Sequence, residues 1–150
     1  MSTKQNHTIA LAWVIGCGCV LLAACTTESS GSRVFFVEPV DGSTVESPVP
    51  MKFGAENFII EPVGDGAIHE GAGHLHLGVD ADCLAPGQII PKASPWIHFG
   101  DGSTEIEMQL EPGSHHLCLQ VGDGEHRTLE GAGMTDEITI TVSPNAAARR

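Results

Sequence analysis

The chain has 150 residues, enough for one domain, and 41 % hydrophobic with 17 % charged residues is the balance of a folded module, not of a disordered acidic chain. Gly 18 and Pro 9 are spread along the whole length and work against long helices. Asp and Glu outnumber Lys and Arg 19 to 7, for a formal charge of −12, and the few basic residues are scattered, which excludes a phosphate-tracking nucleic-acid surface.

In chain order, Lys4 and His7 precede an uncharged run, IALAWVIGCGCVLLAA, from Ile9 to Ala24. That run is too short for an ordinary membrane span and fits the apolar core of a secretory signal. It closes on Leu22-Ala23-Ala24-Cys25, which resembles the lipobox of bacterial lipoproteins, where the cysteine receives a diacylglycerol before cleavage. Residues 1–24 are therefore read as a lipoprotein signal peptide and Cys25 as the lipidated start of the mature chain. Acyl chains in pairs anchor stably where one alone does not, so the expected partner is a membrane. Residues 25–32 continue as a small, polar, flexible tether that keeps the domain near the bilayer. Thr26, standing where Asp would retain a lipoprotein, resembles the pattern sent to the outer membrane of diderm bacteria, facing the periplasm.

From residue 33 to 142 the pattern is short strands. VFFVE at 34–38, VPMKFGA at 49–55, a weaker FII at 58–60, HLHLGVD at 74–80, IHF at 97–99, TEIEMQL at 104–110, HHLCLQV at 115–121 and EITITV at 137–142 alternate with period two. Between them lie Asp41-Gly42, Asp65-Gly66, Pro86-Gly87, Asp101-Gly102, Pro112-Gly113 and Asp123-Gly124, residues that supply or preset turn dihedrals. The expectation is an all-β domain, an immunoglobulin-like β-sandwich of seven or eight short strands, with a small β-barrel as the alternative. Residues 143–150, SPNAAARR, read as a disordered tail. Gly-Asp-Gly recurs at 64–66, 100–102 and 122–124, but no D-x-D-x-D-G calcium loop exists and these pairs serve turns.

Cys17 and Cys19 leave with the signal and Cys25 takes the lipid, so Cys83 and Cys118 remain. In an oxidising envelope compartment they are expected to form a disulfide; the alternative is two unpaired buried thiols. Seven histidines belong to the mature chain: His69, His74, His76, His98, His115, His116 and His126. In HLHLGVD, Leu75, Leu77 and Val79 take the core face, so His74 and His76 project together from the other, their Cα atoms about 6 to 7 Å apart. Two such imidazoles can share one metal ion, and a further ligand would come from His98, His115, His116 or His126. Parity puts His116 with Cys118 and Gln120, while His115 falls on the core side at its strand's start and is the weaker candidate, better suited to hydrogen-bonding a turn. Imidazole suits Zn, Cu and Ni, and the lack of a spare thiolate favours Cu(II) or Zn over Cu(I). Cys118, His126 and Met134 stand in blue-copper order, but a disulfide would consume the thiolate. The bland alternative is a solvated polar face, or histidines satisfied by backbone bonds. Ser43, Ser103 and Ser114 sit in turns without a nucleophile elbow, and Glu105 and Glu107 form the wet side of a strand, so no catalytic set is visible and a non-enzyme is expected.

AGHLHLGVDADC at 72–83, WIHFGDGSTE at 96–105, LEPGSHHLCLQVGDGEH at 110–126 and ITITV at 138–142 together resemble the bacterial family called domain of unknown function 4399, across Phe35 to Val142. Its pattern is matched by His74, His76, His98, His115 and His126. The chain departs from it at Leu75, where a further histidine is common, and at Arg127-Thr128-Leu129, which counts against a ligand role for the His126 loop. The resemblance implies a small secreted β-domain and supplies no substrate. Two functions are expected from these features: a non-enzymatic envelope lipoprotein binding copper or zinc through histidines, or a structural or adhesive module binding an envelope protein without metal. Sensing of pH through histidine protonation is a third.

Overall fold

The computed structural model describes residues 31–144. The signal peptide 1–24, the lipidation site Cys25, most of the tether and residues 145–150 of the tail lie outside the described residues. At the edges of the described residues, Ser32 Oγ donates to the Asn57 carbonyl at 2.7 Å, and the Ser143 amide to the Val45 carbonyl at 2.8 Å.

Nine strands and no helix appear among the described residues: β1 (Arg33–Glu38), β2 (Thr44–Val45), β3 (Val49–Glu56), β4 (Ile59–Ile60), β5 (Ala72–Val79), β6 (Trp96–His98), β7 (Glu105–Met108), β8 (Gly113–Gly122) and β9 (Thr135–Val142). One sheet has the order β1-β3-β7 and the other β2-β9-β8-β5-β4, with β6 also pairing β5. The two form a sandwich, and the larger curls into a half-barrel. β2 exceeds the expected strands because a two-residue strand, here parallel to β9, cannot display alternation.

Alternation explains the core. Val49, Met51 and Phe53 of β3 are buried, while Pro50 and Lys52 between them are exposed; Ile138, Ile140 and Val142 of β9 repeat the pattern. They meet Leu75, Leu77, Leu117, Leu119 and Val121 between the sheets, where apolar burial supplies the main driving force. Phe53 packs edge-on against Phe36 and Phe99, with ring centroids 5.6 and 5.3 Å apart. The turns follow their chemistry too: Asp65, Asp101 and Asp123 each accept, through Oδ1, the amide two residues on, at 3.1, 3.0 and 2.9 Å. These carboxylates cap their own turns, which is the ordinary use of Asp there.

β5 departs from the one-wet-face rule, since it is buried on both sides from Ala72 to Gly78. Its inner face meets the core. On its outer face Gly78 lies against Trp96, and His74 and His76 lie against the rings of His98 and His126; beside them Ile90, Trp96 and Cys118 form a second, smaller apolar cluster.

Candidate metal centre

β5 pairs with β8 on one side and β6 on the other, and the register sets His76 opposite both Gln120 and His98. His74 stands opposite Gly122. Directly opposed residues on one face of an antiparallel pair lie within side-chain reach, so His98 joins the pair through register alone. His126 arrives from the loop after β8. Its amide donates to the Asp123 carbonyl at 2.9 Å, and buried Asp123 Oδ1 accepts the amides of Glu125 and Arg127 at 2.9 and 2.8 Å. This capped loop holds His126 at a φ of 67°, in the left-handed region that non-glycine residues seldom adopt.

One nitrogen from each of His74, His76, His98 and His126 lies within 4.8 Å of the other three. Nε2 of His76 and Nε2 of His74 are 2.9 Å apart, and Nε2 of His126 and Nε2 of His98 are 3.0 Å apart. Four ligands at about 2.0 to 2.1 Å around a tetrahedral ion sit roughly 3.3 Å from one another, so small ring movements would bring this set to bonding distance. Glycines make the space: a Cβ on Gly122 would stand 3.0 Å from His76 Nε2, and one on Gly100 would strike the His98 ring. His76 Nδ1 is buried with no hydrogen-bond partner among the described residues. Such an orphan costs about 1–3 kcal/mol, which strong ligation of the opposite ring nitrogen would help offset.

The expectation of a solvated polar face is corrected, because His74 and His76 are 1 % and 0 % exposed. Burial lowers the His74 pKa to about 4, helped by His126 and His98; burial and then His74 lower His76 to about 3. His98 and His126 are also held below the ordinary imidazole range, by burial first and then by the Lys92 ammonium. Four rings kept neutral present the lone pairs that a metal needs.

The remaining histidines stay outside this group. His115 Nδ1 meets Asp80 Oδ2 at 2.9 Å and its Nε2 meets the Glu111 carbonyl at 2.8 Å, so both ring nitrogens are already engaged in a turn. Burial pulls its pKa down, but these bonds outweigh burial and hold it above the usual value. His116 lies 3.7 Å from Glu137, and His69 binds Glu61 at 2.8 Å. Cys83 and Cys118 are joined as a disulfide, so Cys118 offers no thiolate to a blue-copper arrangement.

His126 belongs to the group despite Arg127-Thr128-Leu129, because Asp123 accepts the Glu125 and Arg127 amides and so shapes the loop around it. Sequence reasoning gave no role in the site to Gly100, Gly122, Asp123 or Lys92. Asp123 was visible only as a turn residue; a Gly-Asp-Gly turn three residues ahead of a histidine was the available signal.

The family model described as "Domain of unknown function (DUF4399)" matches residues 51–143, which hold all four clustered histidines. No curated protein matches the chain. Among solved structures, the endo-beta-1,4-mannanase from Thermotoga petrophila is similar with a TM-score of 0.43 and 14 % identity over 79 % of this chain. The match spans 21 % of that enzyme's chain.

Proposed function

This chain belongs to the DUF4399 family, whose description assigns no activity, and from its own residues we propose that it is a non-enzymatic lipoprotein of the cell envelope that binds a divalent transition-metal ion, copper or zinc. The observation that carries the reading is the convergence of His74, His76, His98 and His126 nitrogens within 4.8 Å. Four neutral imidazoles without a thiolate favour Zn or Cu(II). Four protein ligands also fill a tetrahedral shell, whereas catalytic zinc sites keep one position open, which supports binding over catalysis.

Equilibrium dialysis of the purified chain against Cu(II) and against Zn tests this. One ion should bind per chain, and H74A/H76A should lower affinity by more than about a hundredfold, beyond the usual cost of losing a supporting partner. Equal, weak uptake by both forms removes the reading. Uptake should persist below about pH 6.5, where free imidazole protonates, and fail toward pH 4, because burial keeps His74 and His76 neutral to about 4 and about 3.

The envelope assignment rests on the apolar run ending at Cys25, and a disulfide between Cys83 and Cys118 fits an oxidising compartment. Labelled palmitate should enter the protein in bacterial cells and be lost in Cys25→Ala. Labelling that persists in the variant rejects Cys25 as the anchor.

A further inference from the structure

Residues 80–95 join β5 to β6, the strands that carry His74, His76 and His98, by a route across the outer face of β8. Three successive anchors hold this strap. Cys83 is bonded to Cys118 on β8. Buried Gln120, on the same face, grips Leu84 by both ends of its amide: Leu84 N donates to Oε1 at 3.0 Å, and Nε2 donates to Leu84 O at 2.7 Å. Thr128 is the third, its Oγ1 donating to Ala85 O at 2.7 Å and its amide to Gln88 O at 2.9 Å.

Beyond these anchors the strap reaches the histidines. The Ile90 amide donates to the His126 carbonyl at 2.8 Å. Ile90 also packs with Trp96 and Cys118, and Trp96 begins the strand that ends in His98. Two of the four imidazoles therefore stand on backbone that the strap braces, and the strap is covalently fixed at a single point.

We infer that the Cys83–Cys118 disulfide controls retention of the ion: with the bond intact the strap clamps the His98 and His126 side of the site, and reduction by a dithiol loosens the strap and frees the ion. The inference rests on the metal-binding reading above. Cys83 is partly exposed and Cys118 is fully buried, so the attacking thiolate meets the Cys83 sulfur and Cys118 leaves as a thiolate. The second thiol of the reductant then displaces Cys83. Two electrons and two protons pass to the protein, and the dithiol becomes a disulfide.

The test loads the full chain with Zn and follows its release into excess chelator. Release should quicken by about 10- to 100-fold in phosphine-reduced wild type and in C83A/C118A, the range for losing support behind a metal ligand. Gln120→Leu, which keeps the disulfide but removes the grip on Leu84, should quicken it too. Unchanged release in the reduced protein and both variants, with binding still lost in H74A/H76A, overturns this inference and leaves the metal reading standing. No uptake by the oxidised protein overturns both. Should the variants not fold, hydrogen exchange of reduced wild type decides. The Ile90 amide must exchange faster while Leu119 in β8 stays protected; an unchanged Ile90 rejects the strap's role.

Discussion

Residues 74 to 77 of β5 alternate His, Leu, His, Leu, and all four are at most 1 % exposed. The two faces of one strand are thus buried equally and for different reasons. Leu75 and Leu77 are covered by the opposing sheet, as the sandwich requires, and burial of hydrocarbon there does not depend on pH. His74 and His76 are packed against His98 and the His126 loop, and they stay buried only while uncharged, or while an ion satisfies them. Burial on the inner face builds the domain, whereas burial on the outer face sets conditions on it.

Acid should separate the faces most. In the metal-free protein His74 and His76 resist protonation until about pH 4 and about pH 3, while their unfolded counterparts take up protons near 6.5. Their contribution is intact above about pH 6.5 and is lost as pH falls through that window, at about 1.4 kcal/mol per pH unit for each site. The total falls within the roughly 5–15 kcal/mol that holds a domain together, so urea titrations in chelator should show the apo protein unfolding toward pH 4. H74L/H76L should flatten that slope, and an unchanged slope breaks the comparison. On the inner face, Leu77→Ala should lower unfolding free energy by about 2–5 kcal/mol at neutral pH without changing ions bound per folded chain.

Glycines on opposite faces give a smaller contrast. A Cβ on Gly73 would strike the Gly122 carbonyl at 2.6 Å and press on Val121 and Phe58, and one on Gly122 would press on His76 at 3.0 Å. Crowding of this kind costs about 1–3 kcal/mol. Gly73→Ala should therefore show as a lowered melting temperature and Gly122→Ala chiefly as weaker Zn binding in a competition titration. If each variant moves both readouts equally, the faces are not separable. Least of all, exposed Lys92 opposes cation binding at long range, and Lys92→Ala should tighten Zn severalfold at low salt, worth about 0.2–1 kcal/mol, and less in high salt.

Period-two patterning made β7 and β9 legible, because TEIEMQL and EITITV each keep one wet face. Applied to HLHLGVD it placed both imidazoles together but read their face as open, since alternation says nothing about what crosses above a strand. The disulfide was legible from cysteine number. His98 was a candidate that only register could place beside His76, and register is a property of two strands. His126 was harder: its inward aim comes from a left-handed residue and a capped turn, and the departures at 127–129 pointed the other way. β2 was invisible because two residues carry no period.

The left-handed backbone at His126 has a consequence for how the protein would behave as ion levels vary. That conformation costs about 1–2 kcal/mol, and the fold bears it in advance through the Asp123 carboxylate. Were an ion bound as proposed, little ordering of this loop would be left for that step, and loop freezing would take little from the affinity. Under the metal-binding reading, uptake would therefore leave the backbone of this loop nearly where it already stands.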